Sequence, residues 1–324
     1  MDYLTNDTDL KKVADAIRSK AGVTDSLVFP DGFVSSISGI IMPTYTLVVK
    51  TSPSSSITVT KGTKTFSGTA DASGECTFSL PEAGVWTVTV GTKMETVIIG
   101  TQELEVTLFD PVFANNSWAQ IIAACHNGTV PDTWTAENQK AMTINGAEYA
   151  IDIIGKAHDD YADGSGKAPL TFGMHDCYGT AYAMNGLNSN SSGWKDSVMR
   201  TTYLPAILAL MPKEVQNGIR EVSKKASAGG QSTTIVTVSD KLFLLSEIEI
   251  FGSTRYSAAG EGTQYDYYKA GNSKVKNRSG SAAVWWDRSP YVNGSGAFCV
   301  VYSNGTANYD AAGYDRGVSF GFCF

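Results

Sequence analysis

Three kinds of hydrophobic spacing succeed one another along the chain. In residues 1–42, Leu10, Val13, Ala14 and Ile17 recur every three to four positions and mark one face of a helix. Asp7, Thr8 or Asp9 can cap its start, and Gly22 follows its end. "FPDGF" (Phe29–Phe33) reads as a turn, and Phe33, Val34, Ile37 and Ile41 predict a second short helix. Two such helices bury too little surface to fold alone. The segment reads either as a docking or oligomerisation element or as a helical cap on the adjoining domain.

Residues 43–109 switch to short alternating runs: "YTLVVK", "SITVTKG", "TKTFSGTA", "ECTFSL", "GVWTVTVG", "METVIIG" and "QELEVTLF". Gly, Ser, Pro and Asp separate them, which predicts a small all-β sandwich serving as a spacer. "PEAGVWTVTV" resembles the late strand of immunoglobulin-like and carboxypeptidase-regulatory-like spacer domains.

Residues 110–324 mix both periods. "NNSWAQIIAACHNG" places Trp118, Ile121, Ile122 and Cys125 on one helical face behind an Asn/Ser cap. "TINGAEYAIDIIGKAHD" predicts a hairpin, and "GWKDSVMRTTYLPAILALMPKEVQNGI" one or two helices broken before Pro205 and Pro212. "QSTTIVTVSDKLFLLSEIEIFG" reads as strand, turn and apolar run, and "SAAVWWDRSP", "GAFCVVYSNG" and "GVSFGFCF" as strands. The fold class is therefore multidomain: a helical segment, a β-sandwich and an α+β domain.

Composition narrows the function. Of 324 residues 18% are charged, below the roughly 25% of an average globular chain. The net charge of −7 and the lack of a basic patch argue against nucleic acid. The cluster Lys274, Lys276 and Arg278 reads as a solvated loop. No run approaches a membrane span and no signal peptide is visible, so the expectation is a chain made in a cytosol and not inserted in a membrane. The five cysteines (Cys76, Cys125, Cys177, Cys299 and Cys323) show no metal spacing and read as buried thiols. Cys299 and Cys323 could still meet across paired strands.

Enzyme chemistry finds no anchor. His158, Asp159, Asp160 and Asp163 form the densest acidic cluster, read as a solvated turn in preference to a weak calcium site. His175, Asp176 and Cys177 are consecutive, and a catalytic Cys/His pair must be opposed in space, so a buried structural histidine is expected. There is no nucleophile elbow, P-loop or dinucleotide fingerprint, and no cofactor is expected.

The segments "WAQIIAACHNG", "LTFGMHDCYGTAYAMN", "KLFLLSEIEIFG" and "WWDRSP…GVSFGFCF" resemble, in that order, domains of phage and prophage proteins of gut Firmicutes. The resemblance covers nearly all of 113–324. It implies a C-type-lectin-like fold of the kind used by variable proteins of diversity-generating retroelements. There an error-prone reverse transcriptase rewrites adenine-templated codons near the end of a target gene. Residues 3–41 resemble a module that opens many phage tail proteins. Together they imply a receptor-binding protein of the virion tail, not an enzyme. Its partners would be a host cell-surface protein or glycan, other tail proteins, and further copies of itself, a trimer being one arrangement.

Adenine mutagenesis of an AAC codon can give Asn, Tyr, Asp, Ser, Gly, Ala, Val, Thr or Arg. That set supplies Tyr291, Val292, Asn293, Ala297, Val300, Tyr302, Asn308, Tyr309, Asp310, Ala311, Ala312, Tyr314, Asp315 and Arg316, the expected ligand-binding residues in a variable region about 285–324. Tyrosine offers a large rigid contact with a polar tip, as in antibody paratopes. Alternation in "FCVVYSNG" assigns Cys299 and Val301 to the core and Val300 and Tyr302 to the ligand side. Asn-Gly in "SNGT" signals a tight turn. Tyr291, Tyr302, Tyr309 and Tyr314 should be exposed on one face, and Trp285, Cys299, Phe320 and Phe322 buried. Trp286 and Phe324 should join that scaffold, with Arg288 holding a buried carboxylate or backbone carbonyls. Two other classes remain: a cysteine-based oxidase related to formylglycine-generating enzymes, whose close cysteine motif is absent, and a purely structural tail protein.

Overall fold

The computed structural model describes residues 7–22, 24, 44–51, 53–110 and 112–324. Its first helix, Asp7–Ala21, buries Ala14 and Ile17 and leaves Val13 exposed. The turn at 29–33 and the second helix expected at 33–41 lie outside the described residues.

All seven alternating runs are strands: β1 (Tyr45–Lys50), β2 (Ser56–Lys61), β3 (Lys64–Thr69), β4 (Glu75–Leu80), β5 (Gly84–Val90), β6 (Lys93–Ile99) and β7 (Leu104–Thr107). They form two sheets, β4–β1–β7 and β3–β2–β5–β6. The β1–β7 pair is parallel and the other pairs are antiparallel. The period of two sends Leu47, Val49, Ile57, Val59, Trp86 and Val88 inward to one core. Phe66 meets Trp86 edge to face at 5.8 Å.

A second hydrophobic core runs from Phe109 to Phe324. Helix Trp118–His126 starts on a capping box, Ser117 with Gln120, and buries Trp118, Ile121 and Cys125. The hairpin of β8 (Gln139–Ile144) and β9 (Ala147–Lys156) turns on Asn145 and Gly146, both at positive φ, 50° and 77°. With β10 (Leu170–Met174), β13 (Phe243–Leu244) and β19 (Phe320–Cys323) it makes the sheet β13–β19–β10–β9–β8. Every residue of β10 is buried, as a strand covered on both faces requires. Phe113, Trp118, Phe172, Phe322 and Phe324 pack as one aromatic cluster.

The helices after Gly193 depart from expectation at Pro205. A wide π-type turn, Met199–Tyr203, leads without a break into helix Leu204–Leu208. Pro205 follows directly on that wide turn, with Tyr203 already helical at φ −75° and ψ −45°, so the proline is absorbed inside a continuous helical run and does not end it. The chain breaks instead at Pro212, before helix Lys213–Gly218.

The remaining strands are the pairs β11 (Val222–Ser227) with β12 (Ile235–Asp240) and β14 (Lys276–Arg278) with β15 (Ser281–Ala283). The sheet β16–β17–β18 comprises Trp285–Pro290, Ala297–Val301 and Ala307–Ala311. Asn304 and Gly305 close its last turn: Tyr302 N donates to Thr306 O and Gly305 N to Tyr302 O, both at 2.8 Å. Among the described residues no helix is long and apolar enough to cross a membrane.

Candidate functional site: a buried charged frame under a tyrosine surface

The frame begins with β16, "WWDRSP", every residue of which is buried. Arg288 is fully buried and saturated. Its Nη1 and Nη2 grip the two Glu249 oxygens at 2.5 and 2.7 Å, and it donates to the carbonyls of Lys225, Leu244 and Glu261. The expected role of Arg288 thus takes both of its forms at once. Glu249 also accepts from Lys224 Nζ at 2.8 Å, and Lys224 reaches Asp159 at 2.7 Å and Tyr265 Oη at 3.0 Å. Burial alone would raise the Asp159 and Glu249 carboxyls. The cations beside them outweigh it and hold both below the ordinary range, Asp159 at about 2.

From this network a chain of contacts runs to the surface. Ser289 Oγ donates to Glu261 and accepts from Glu247 N. The Glu247 carboxylate accepts from the backbone N–H groups of Arg255, Tyr256 and Ser257 at 2.9–3.0 Å. This fixes the loop that presents Tyr256, whose carbonyl accepts from Val292 N. Buried Asn190 donates to the carbonyls of Tyr291, Gly294 and Ala297 and so holds the neighbouring loop.

On top, Tyr291 and Tyr309 stack at 3.8 Å with rings only 5° from parallel. Tyr256 meets them edge-on at 6.1 and 5.3 Å. Tyr309 and Tyr302 are exposed, as are Asn293, Asp315 and Tyr314. Tyr291, Val292, Asn308, Asp310, Ala311 and Arg316 are half-buried. Arg316 pairs with Asp310 at 2.6 Å and lies 5.4 Å under the Tyr314 ring.

Several expected positions need correction. Val300 and Ala312 are fully buried, and Ala297 is 9% exposed, so none of them can meet a ligand. Val300 is buried because both faces of its strand are covered: all five residues of Ala297–Val301 are buried. Alternation assigns faces correctly but does not say which face is open. Tyr291, expected to be exposed, is half-buried under its stack with Tyr309, and the tyrosines do not form one group: Tyr314 packs on Arg316, apart from that stack. Cys299 and Cys323 lie in different sheets as free thiols. Both are fully buried, and burial pushes both thiols well up, the opposite of a reactive thiolate.

Charged residues read as solvated also move inward. Asp159 is buried on Lys224, and Lys276 is buried with its ammonium on the carbonyls of Met174 and His175. Asp160 and Asp163 pair with Lys167 and Arg220. Among the described residues no group of three His, Cys, Asp or Glu could hold a metal ion. His175, expected to be buried, is half-exposed and bonded through Nδ1 to buried Asp152 at 2.8 Å. That bond raises its pKa.

Asp287 makes the frame sensitive to pH. It is fully buried, its Oδ1 accepts from Ser289 N, and its Oδ2 has no partner among the described residues. Burial, with Glu247 and Glu261 nearby, pushes its carboxyl well above the ordinary value of 3.8. Burial likewise raises Glu261 from 4.5 to about 7. Both stabilising contributions are complete below the unfolded values and are lost as pH rises through the folded ones. Stability of the full chain should therefore fall between about pH 4.5 and 7 from Glu261, with Asp287 adding a fall that begins near its ordinary value of 3.8. Asp287→Asn, which mimics the protonated acid, should reduce that slope and raise the unfolding midpoint at pH 7. An unchanged slope in urea titrations at pH 5 and 7 would count against a proton on Asp287.

Residues 174–322 match a domain family of unknown function, DUF6273. The match takes in the frame apart from Asp159, the loops at Asn190 and Tyr256, and the tyrosine surface. No curated protein and no solved structure matches the chain.

Proposed function

We propose that the chain is a receptor-binding protein of a phage or prophage tail, displaying a diversified surface on a C-type-lectin-like scaffold. One observation carries this reading. The Tyr-, Asn- and Asp-rich surface rests on a frame whose buried polar contacts are made by other residues. Arg288, Glu249, Lys224, Glu247 and Asn190 fix the backbone beneath, and none belongs to the candidate variable set. Side chains at 291, 293, 302, 309, 314 and 315 can therefore change with little cost to folding. Tyrosines held by backbone fixed from below lose little entropy on binding, and aromatic residues dominate interface energetics.

The alternating β-sandwich is the spacer in this scheme, and the helical segment before it the tail-docking or oligomerising module. The ligand is a protein or glycan of the host cell surface. The genetic test is direct. A near-repeat of the last ~120 bases should lie near the gene, differing at adenines, beside a reverse-transcriptase gene; the differences should fall in codons for the exposed and half-buried surface positions. Identical tails in sister phages, with no such repeat, would remove diversification from the account.

A further inference from the structure

On the side of Arg316 and Tyr314 lies a cleft of 210 Å³ lined by Arg278, Ser281, Ala282, Asp315, Arg316 and Gly317. One wall is the β14–β15 hairpin, which turns at Ser279 and Gly280, both at positive φ, 53° and 81°. That turn sets Arg278 directly across from Ser281. The other wall is the 315–317 segment, tied down where Gly317 N donates to Val284 O at 2.9 Å and Gly317 O accepts from Trp286 N. Gly317 has to be glycine, since a Cβ there would sit 2.6 Å from Cys177 Sγ.

Two guanidinium groups line this cleft and differ in one respect. Arg316 is neutralised by Asp310 at 2.6 Å. Arg278 has no carboxylate partner among the described residues. Its one hydrogen bond there is a long contact of 3.4 Å to Gly179 O, and its Nε is buried with no partner. A guanidinium carries five donors in a planar fork matched to carboxylate and phosphate oxygens, and leaving such a donor buried and unpaired is costly. The fully buried Arg288 has every donor satisfied, whereas the half-buried Arg278 keeps an unpaired Nε.

We infer that this cleft is an anion-binding subsite that takes a carboxylate or phosphate group, with Arg278 as its cation and the Ser281 hydroxyl as a second donor. The inference rests on the receptor-binding reading for its purpose: the subsite would hold an acidic group of the ligand whose remainder meets the tyrosines. Asp315, a variable candidate at the rim, sets the strength of the site. An acid there opposes an incoming anion, and a neutral residue does not.

The test uses the full chain and two small probes, glycerol phosphate and glucuronate, followed through the backbone amide signals of Ser281 and Gly317. Saturable shifts with either probe, at Kd of about 1–10 mM, are expected. Phosphate alone would point to a phosphate-bearing ligand and glucuronate alone to an acidic sugar. Arg278→Gln should weaken binding about tenfold or more, with Arg278→Lys recovering part of the loss. Asp315→Asn should tighten it, an effect that a merely structural Arg278 would not produce. Ala282→Asp, an exposed residue of the cleft lining, should abolish binding with Arg278 intact, which keeps the test valid if Arg278→Gln folds poorly. Absence of saturable shifts with both probes, or parental affinity retained in both Arg278→Gln and Ala282→Asp, overturns the subsite. That result would leave the tyrosine surface untouched, because neither probe engages it.

Discussion

Arg288→Met is expected to destabilise the core by about 3–5 kcal/mol, the cost of removing one partner from a buried ion pair. The guanidinium is fully buried and holds Glu249 with two bonds and three backbone carbonyls with the rest. Removing it leaves Glu249 facing Lys224 alone, with both inside the protein. It also frees the carbonyls of Lys225, Leu244 and Glu261 at once, and so loosens β11, β13 and the loop that carries Glu261. Methionine fills much of the volume, so the loss measures charge and hydrogen bonds more than a cavity. Urea unfolding of the full chain should show a lower midpoint with a slope that reports the same core. Pairing the change with Glu249→Met should recover part of the loss, because the stranded charge is then gone. If the single variant is as stable as the parent, the frame is not what supports the surface.

Much of the fold can be read from sequence but little of this frame beyond Arg288, and the unreadable part has a common cause. The sandwich strands are legible because their alternation is uninterrupted and their turns are marked by Gly, Ser and Pro. Trp285, Trp286, Phe320 and Phe322 are legible because large aromatics in short apolar runs have nowhere else to go. Lys224 is the instructive case. "VSKKAS" offers no apolar run to mark it as a strand, yet Val222, Lys224 and Ala226 share the buried parity while Lys225 points out. The alternation is present, and the charge obscures it. Asp159 and Glu249, which neutralise Lys224, lie 65 and 25 residues away, and no local pattern can bring them together. The same holds for Tyr256, set in "GSTRYSAAG", and for Asn190, set in "LNSNSSG". Each becomes part of the surface only because a loop folds back across more than thirty positions to meet Tyr291. Val300 fails for a different reason: parity is local, but whether a second layer covers the other face is not.

The second large effect concerns binding. Replacing Tyr291 and Tyr309 together by Ala should leave the frame folded, since neither ring contributes to the buried network. Their stack is on the surface, with Tyr309 39% exposed. It should nevertheless remove the central aromatic contact of the binding face, and affinity for the host surface should fall about tenfold or more. Tyr256→Ala, outside the variable segment, should fall in the same class because its ring contacts both others. Tyr314→Ala should have a separable and smaller effect.

The most direct measurement is binding of the full chain to intact host cells, made for the parent and for Tyr291→Ala/Tyr309→Ala, with the urea midpoint of each as the control for folding. A tenfold or greater loss of binding, on the order set by interface aromatic anchors, with an almost unchanged midpoint is the result expected. Unchanged binding, or a chain that unfolds when these two rings are removed, would contradict it.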